Sequence, residues 1–488
     1  MYVYLVLILA LLCIWIYQKG TKKPRNFPPG PPIVPILGSI PFMKGPTLNE
    51  KIWSKDLADR FGPVIGLIMG NKPFVLITDP KVAKQALSGD DLIGRPRDPL
   101  ALEVRAHNGK FFGLFLADGD NWKHQRRFTL KVMKDIGIGR SISGDAMLFE
   151  ADQLVQKFKT MVDRDVLMDG QFNIPVVNVL WFMLGVANVR YSYDDPEILA
   201  FMELLRQLFR GGGFLKQFFG ILKYFPNLSG LNVRRATNQK LRVPIQREID
   251  AHKLFHAETN SHMNDFIGQY LEEMETDPMM NENELMNICQ DLFGAGSETV
   301  SSTLLFSIAY LTMYKDVQDE CYQEILRLEQ DGTQISLQNQ NRFVFVNATI
   351  NEVFRKSSLT ASIIPHRALR DTQIMGYDIP YDTMILTNML LNNNDPTYHK
   401  NPEDFNPKRF INDSGKLIKN DVLTPFGVGK RVCPGESLAR GEIFIFLAKL
   451  IRAFHFTKPL AHPPPKGDVV WGMARLPKPF HVQIQLRK

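Results

Sequence analysis

One short segment constrains this chain more than any other, the loop that runs from Phe426 to Gly435 and carries a single cysteine just ahead of a helix-like run. Glycines at 427 and 429 allow the backbone to turn tightly and to approach a flat ligand closely. The run 436–454 predicts a helix, and the free N–H groups at a helix start favour a thiolate. The loop therefore presents Cys433 as a candidate ligand.

The cysteine admits two interpretations. A lone cysteine before a helix is most often structural, but the spacing Phe-x-x-Gly-x-Arg-x-Cys-x-Gly is a much more specific pattern. The segment resembles the haem-binding loop of the cytochrome P450 family, whose thiolate-ligated haem favours cleavage of the O–O bond. The resemblance implies that Cys433 is the axial iron ligand of haem b, that Arg431 contacts a haem propionate, and that Phe426 packs near the sulfur side of the ring.

A tryptophan and an arginine, Trp122 and Arg126, are spaced so that they share one face of a helix. Such a pair often means simple stacking, but both groups are hydrogen-bond donors, and in the family the same pair donates to the haem propionates. The resemblance places His366 as a further propionate partner. Residues 356–362 lack the proline that usually precedes this position in the family, so the resemblance does not give the path of the chain there.

An acid and a base, Glu352 and Arg355, lie three residues apart on a predicted helix. A solvated helical ion pair is the common alternative and contributes only about 0.3–0.5 kcal/mol. Arg409, in the downstream segment from Phe405 to Phe410, supplies the second arginine that the family pairs with this glutamate. The resemblance implies a buried network of Glu352, Arg355 and Arg409 that is structural rather than catalytic.

The predicted helix 285–314 contains the small residues 294–296, followed by Glu298 and Thr299. Each helical glycine costs up to about 1 kcal/mol relative to alanine, which indicates either tight helix packing or a ligand that approaches the backbone at Gly296. The family match favours dioxygen as that ligand. It implies that Thr299 donates a hydrogen bond at the oxygen site and that Glu298 relays protons through water.

The rest of the sequence predicts a mainly α protein with small β-sheets, arranged as a single cytochrome P450 fold. The chain has 488 residues, of which 44% are hydrophobic and 22% are charged, as is ordinary for a globular protein. Its four dispersed cysteines argue against a zinc cluster and a disulfide framework. The net charge of +7, with no dense basic tract, argues against nucleic acid as a partner. Further helices are predicted at 154–162, 201–209 and 316–328, and strands within 64–78, 372–386 and 480–486.

The N-terminus predicts an uncleaved membrane anchor over residues 1–18. An apolar run from Tyr2 to Tyr17 is followed by basic residues, whereas a cleaved signal peptide would carry positive charge ahead of the run and small residues at its end. The flanking charge keeps the catalytic domain cytosolic, which predicts single-pass attachment to the endoplasmic reticulum membrane. Residues 19–34 form a basic and proline-rich hinge, and residues 35–488 form the haem-binding monooxygenase domain.

The resemblance implies insertion of one oxygen atom from O2 into a lipophilic small molecule. Electrons come from NADPH through a separate NADPH–cytochrome P450 reductase, with cytochrome b5 as a second candidate donor, because the sequence shows no flavin or nucleotide motif. A basic docking face is predicted near the haem motifs. Its members are Lys123, Arg127, Lys131, Lys430 and Arg440.

The motif style resembles the microsomal, drug- and steroid-hydroxylating clan, and arthropod members most. An endogenous substrate of the hormone, terpenoid or steroid type is predicted; the alternatives are broad oxidation of foreign compounds, a non-catalytic haem sensor or carrier, and a membrane scaffold without haem. The apolar stretch 201–231, interrupted by glycines, is either core or a lid that dips into the bilayer. Candidate pocket residues are Phe111, Phe112, Phe115, Phe293, Ala295, Ile363, Ile364 and Trp471 to Met473.

Overall fold

The computed structural model describes residues 22–45, 47–70, 72–137, 141–184, 190–210 and 223–487. These ranges are mostly helical, with several small sheets. The predicted anchor, the first residues of the hinge and the glycines of the predicted lid lie outside them. Within the described ranges, no helix combines the length and the apolar character that a bilayer crossing requires.

Helices account for most of the described chain. Their bounds are α1 Leu48–Ile52, α2 Lys55–Phe61, α3 Pro80–Ala86, α4 Pro99–Arg105, α5 Gly119–Asp135, α6 Ser141–Lys159, α7 Asn173–Leu184, α8 Pro196–Arg210, α9 Pro226–Ser229, α10 Leu231–Thr259, α11 Phe266–Met274, α12 Glu282–Met313, α13 Lys315–Gln330, α14 Val344–Ser357, α15 Met389–Asn393 and α16 Glu436–Ala453. Short 3-10 turns span Ile40–Phe42, Gln340–Arg342, Pro407–Phe410 and Gly429–Arg431.

The strands form a four-stranded sheet in the order β1-β2-β9-β6, a three-stranded sheet in the order β10-β13-β5, and three hairpins, β3-β4, β7-β8 and β11-β12. Strand β9 runs parallel to β2, and the other pairs are antiparallel. Their bounds are β1 Val64–Met69, β2 Lys72–Ile77, β3 Ala106–His107, β4 Lys110–Phe111, β5 Asp165–Leu167, β6 His366–Arg367, β7 Thr372–Ile374, β8 Tyr377–Ile379, β9 Met384–Thr387, β10 Phe454–Thr457, β11 Val469–Trp471, β12 Arg475–Pro477 and β13 His481–Leu486.

The long helix α12 lies at the centre of the helical layer. Asn281 caps its start by accepting a hydrogen bond from the Glu284 N–H. Most of its side chains are buried on every side, as is typical of a helix that crosses a core, and it packs against α7, α14 and α16. In the middle of the helix, however, Ala295 is exposed. The helix therefore borders an internal space at this point.

Helices and strands are found where they were predicted, but the helix predicted at 154–162 begins much earlier, at Ser141, and the stretch 372–386 contains three short strands. The predicted helix 285–314 is α12, and the predicted helix after Cys433 is α16. The helix predicted to reach residue 162 stops at Lys159, because the chain turns there and Asp163 takes a positive φ of 59°.

Candidate active site

The cysteine loop turns tightly between a 3-10 turn and the start of α16. The Cys433 N–H donates to the carbonyl oxygen of Phe426 at 2.9 Å, which closes the loop. Gly429 has a φ of 74°, and a Cβ atom there would lie 2.0 Å from the carbonyl oxygen of Leu87. Only glycine fits at this position, so the loop is fixed against the segment that follows α3.

Burial controls the chemistry of the free thiol at this loop. Burial raises the pKa of Cys433. The Gly435 N–H and the Arg126 guanidinium lower this pKa, but by a smaller amount. The N–H group at the helix start thus favours the thiolate, as predicted, but burial outweighs this effect. A metal ion that coordinates a thiol removes its proton outright, so this side chain suits an iron ligand better than a free nucleophile.

Phe426 is held by an aromatic and cationic stack. Its ring meets Phe354 edge-on at a centroid distance of 5.3 Å, and the Arg440 guanidinium lies 4.8 Å from its centroid. Arg440 also donates to Glu436 at 2.9 Å and to Asn351 at 3.1 Å. These contacts hold Arg440 against Phe426, while its side chain remains 32% exposed.

Trp122, on α5, lies beneath the loop arginine. The Arg431 guanidinium carbon is 3.4 Å from the Trp122 ring centroid, and that of Arg126 is 5.6 Å away. Arg126 donates to the carbonyl oxygen of Val432 at 2.5 Å. The Trp122 Nε1 atom is buried and has no hydrogen-bond partner. The structure thus brings three of the predicted propionate partners together and leaves an indole donor unused.

Arg95 joins this group, although the sequence analysis did not single it out. It is 4% exposed and donates to the carbonyl oxygens of Phe115, Ile364 and Pro365 at 3.0–3.1 Å. Because these acceptors are distant in sequence, no local spacing identifies Arg95. The one available signal is an arginine between Gly94 and Pro96, at the end of an apolar stretch.

His366 begins strand β6 next to these arginines. Its Nδ1 atom lies 2.6 Å from the carbonyl oxygen of Leu92, which requires a proton on Nδ1. Burial and the neighbouring Arg95 lower the pKa of His366 to about 3. The ring is therefore neutral here, and its Nε2 atom is an acceptor.

These residues fit the haem that the sequence resemblance implies. Burial and mutual repulsion with Arg95 lower the pKa of Arg431, and Asp118 offsets this only in part. Asp118 is itself bonded to Arg367. Buried cations require anionic partners, and the two propionates of haem b would supply them, with the Trp122 indole as a further donor.

On α12, the predicted oxygen-site residues occupy different surroundings. Thr299 is half-buried beside the exposed Ala295, and its Oγ1 donates to the Ala295 carbonyl oxygen at 2.7 Å. Glu298 is 5% exposed. Thr299 therefore borders the internal space, whereas the neighbouring carboxyl group lies within the core.

The glycines of α12 receive a different explanation from the one that dioxygen would give. A Cβ atom on Gly296 would lie 2.9 Å from the Leu180 side chain on α7, and one on Gly294 would lie 4.0 Å from Leu205. Helix packing therefore accounts for Gly296, the alternative left open by the sequence. Phe293, a predicted pocket residue, packs against Trp181 with ring centroids 4.1 Å apart, and both side chains line a small cavity with Phe201.

The structural network forms a closed, buried cluster. Arg355 donates two hydrogen bonds to the Glu352 carboxylate, both at 2.8 Å, and Arg409 donates one at 3.2 Å. Glu352 and Arg355 are fully buried. The Arg355 guanidinium also binds the carbonyl oxygens of Asn393 and Asp404. The network thus joins α14 to the segments that precede the cysteine loop.

Buried carboxylates position the phenylalanine loop of the predicted pocket. Asp291 accepts from the N–H groups of Leu114 and Phe115, both at 2.8 Å, and pairs with Arg105. Glu284 accepts from the Gly113 N–H at 2.7 Å. Residues 113–115 are therefore anchored to α12 through their backbone.

The other predicted pocket residues differ in exposure. Ile363 is buried and Ile364 is 38% exposed. Phe111, Phe112 and Trp471 are half-buried. The Met473 N–H donates to the carbonyl oxygen of Phe209 at 2.8 Å, so the β11-β12 hairpin reaches the end of α8.

Comparison with known proteins agrees with this arrangement. The family model for cytochrome P450 matches residues 28–484. Cytochrome P450 2L1 of Panulirus argus is 32% identical over 488 residues, which cover 96% of each chain. Farnesoate epoxidase of Bombyx mori is 31% identical over 99% of each chain, and cytochrome P450 2B2 of Rattus norvegicus is 30% identical over 99% of each chain. The chain therefore belongs to the cytochrome P450 family and is a haem-dependent monooxygenase that oxidises lipophilic compounds with electrons from a redox partner.

Proposed function

We propose that this monooxygenase hydroxylates or epoxidises an endogenous lipophilic compound of the hormone, terpenoid or steroid type. The observation that carries the proposal is the similarity to farnesoate epoxidase along 99% of both chains. The apolar side chains of Phe111, Phe115 and Ile364 support it, because a pocket lined by such groups selects for lipophilic ligands.

Within the proposed site, Cys433 is the iron ligand of haem b. Trp122, Arg126, Arg431 and Arg95 would hold the propionates by charge-assisted hydrogen bonds. When bound, the thiolate-ligated haem supplies activation of dioxygen. His366 contributes a donor only if its Nε2 takes up a proton, because its Nδ1–H is already used by Leu92.

The residues of α12 control protons in this proposal. The Thr299 hydroxyl borders the internal space and donates to the Ala295 carbonyl oxygen. The hydroxyl can rotate and donate toward the substrate side instead. Glu298, one residue earlier, supplies protons through water. Phe115, whose N–H is held by Asp291, orients the substrate together with Phe111.

The proposed electron donor is NADPH–cytochrome P450 reductase, with cytochrome b5 as a second donor. Arg127 and Lys131 project from α5 and are exposed. They lie on the helix that carries Trp122 and Arg126, so a partner bound there would be close to the propionate side of the haem. Acidic patches on the partner would be attracted to this face.

We propose attachment to the endoplasmic reticulum membrane through residues 1–18, followed by the hinge 19–34. Exposed apolar side chains support contact with lipid, since large apolar groups on a surface mark interaction sites. Near the hinge, Ile36 is 71% exposed. Around α9 and the start of α10, the exposed residues are Tyr224, Phe225, Leu228 and Val233.

Product analysis after reconstitution with reductase and NADPH tests the substrate proposal. The panel contains methyl farnesoate-like sesquiterpenoids, ecdysteroid precursors, fatty acids and several drug-like probes. One product from a single endogenous class is expected. Slow oxidation of many unrelated probes would instead identify a broad-specificity enzyme acting on foreign compounds.

The ligand assignment has a separate test. The carbon monoxide complex of the reduced protein is expected to show the strongly red-shifted Soret band of thiolate-ligated haem, and Cys433→Ala should abolish it. An unshifted band in the native protein would contradict the assignment of Cys433. A native-like band in the variant would contradict it as well.

A further inference from the structure

Three potential metal ligands converge at the corner between α10 and α11, outside the candidate active site. His256 lies in the last turn of α10, His262 in the connection, and Glu275 just beyond α11. The Nε2 atoms of His262 and His256 lie 2.9 Å and 3.6 Å from the same Glu275 oxygen, Oε1. Their ligand atoms all lie within 4.8 Å of one another, and the described part of the chain contains no second group of this kind.

The donor set and its spacing suit zinc. Two imidazoles and a carboxylate form a three-ligand zinc site that leaves a fourth position for water. Bonds of about 2.0–2.1 Å in a tetrahedron place the ligand atoms roughly 3.3 Å apart. The observed separations of 2.9 Å and 3.6 Å lie on either side of this value.

One ring must turn for both histidines to point at a single ion. The His256 and His262 rings are stacked with centroids 4.0 Å apart and planes 8° apart, so their nitrogen lone pairs lie in two separate, nearly parallel planes. The His256 Nδ1 atom is buried and makes no hydrogen bond. No hydrogen bond through that nitrogen opposes rotation of the ring.

The backbone holds the ligands in place on both sides of His262. Asn260 ends α10 with a φ of 52°, and its N–H donates to the His256 carbonyl oxygen at 2.8 Å. Asp265 caps α11 by accepting from the Gly268 N–H at 2.8 Å. A Cβ atom on Gly268 would lie 2.0 Å from the carbonyl oxygen of Met263, so the connection is packed tightly against α11.

We propose that His256, His262 and Glu275 bind a zinc ion that links the last turn of α10 to the end of α11. The site is accessible from solution, since the side chains of His256 and Glu275 are 35% and 57% exposed. Magnesium and calcium prefer all-oxygen ligands, so they compete poorly. Binding requires neutral imidazoles.

Isothermal titration of the haem-loaded full chain, prepared without a polyhistidine tag, with zinc chloride alone tests this proposal. One zinc ion per chain is expected, and a millimolar excess of magnesium should leave it bound. His256→Gln, His262→Gln and Glu275→Gln should each weaken binding at least tenfold. Zinc should raise the unfolding temperature of the native protein but not of these variants.

A second stacked pair provides the matched control. His462 and His481 stack at 3.7 Å without forming a three-ligand group, so His462→Gln should bind zinc like the native protein. The carbon monoxide spectrum of each variant verifies that the haem domain is folded. Zinc binding that is absent, or equal in the native protein and all three ligand variants, would overturn the proposal.

Discussion

Arg95 and Arg431 are buried cations whose guanidinium groups donate to main-chain carbonyl oxygens. The acceptors include Phe115 and Ile364 for Arg95, and Ile93 and Ala117 for Arg431. Carbonyl groups satisfy the donors but do not neutralise the charge, and burial lowers the pKa of both arginines. An anionic ligand would neutralise this buried charge, so the site should be more stable when such a ligand is bound.

We expect Arg95→Gln to weaken retention of haem. A hydrogen bond to a charged group contributes about 1.5–3 kcal/mol, so haem transfer to apomyoglobin should be roughly ten- to a hundredfold faster in this variant. Arg97→Gln is the matched control, because Arg97 is exposed nearby and should transfer haem at the native rate. Equal rates for native protein and Arg95→Gln would contradict a role for Arg95 in binding the cofactor.

We expect Thr299→Ala to uncouple electron consumption from product formation. Without this hydroxyl, proton delivery at the oxygen site loses a positioned donor, and product formed per NADPH should fall roughly tenfold or more. Thr303→Ala is the control: Thr303 makes the same type of hydrogen bond, to the Thr299 carbonyl oxygen at 2.8 Å, one turn later. If the two variants formed similar amounts of product per NADPH, the Thr299 hydroxyl would serve only the structure of α12 and not proton delivery.

At the scale of elements, the sequence predicts α12 and α16 well because their apolar residues are continuous and their starts are marked by polar caps or glycine. It does not predict the path after α14. That helix ends at Ser357, the next residue Ser358 takes a φ of 40°, and Asn393 donates to the Ser358 hydroxyl at 3.0 Å. This tertiary hydrogen bond helps to hold the segment, and no local pattern indicates it.

In the candidate site, too, some residues can be predicted from the sequence and others cannot. The motifs that contain Cys433, Trp122 and Glu352 were recognisable because each carries its chemistry within a few residues. The surroundings of Arg95 and Gly296 depend on neighbours far along the chain, Ile364 and Leu180 among them. Such positions require the tertiary structure, because one amino acid type in one helix is compatible with several packing roles.

The anchor between α12 and the phenylalanine loop yields a prediction on substrate recognition. Asp291→Ala removes the acceptor for two N–H groups and leaves Arg105 without its carboxylate. We expect at least a fivefold rise in KM and a changed product distribution, with a loss of stability of about 3–5 kcal/mol. Glu282→Ala, in the first turn of α12 but outside this anchor, should change neither KM nor products. An unaltered KM in Asp291→Ala would show that the loop keeps its position without this anchor.

His399 yields a prediction on pH dependence. Burial, followed by the charges of Arg355 and Arg409, lowers the pKa of His399 to about 4, compared with about 6.5 in an unfolded chain. Between these values the unfolded chain binds a proton that the folded chain does not. Stability therefore falls as the pH drops from about 6.5 to 4, by at most about 1.4 kcal/mol per pH unit.

Urea unfolding midpoints measured from pH 7 to pH 4 test this dependence. His399→Gln should show a shallower decline than the native protein across this window, because glutamine takes up no proton. His107→Gln, at an exposed position, should decline as the native protein does. Parallel curves for native protein and His399→Gln would refute the assignment.

At the scale of the whole molecule, positive charge is distributed unevenly around α5. Lys123 and Lys430 both lie near Asp90, at 4.0 Å and 2.8 Å, so part of their charge is balanced within the chain. Arg127 and Lys131 form no ion pair with any residue in the described ranges. The predicted docking face therefore reduces to these two side chains, with Lys123 and Lys430 at its edge.

We expect Arg127→Glu and Lys131→Glu each to slow reductase-supported turnover at least fivefold at low salt, since like charges repel an acidic partner. The defect should shrink as ionic strength rises, because salt screens interactions between exposed charges beyond about 10 Å at 0.1 M. Turnover driven by hydrogen peroxide needs no redox partner and should stay at the native rate. Lys240→Glu, on exposed α10, is the control and should affect neither reaction. If both variants lost peroxide-driven and reductase-driven turnover equally, the substitutions would be acting on the haem site, and α5 would not be the docking face.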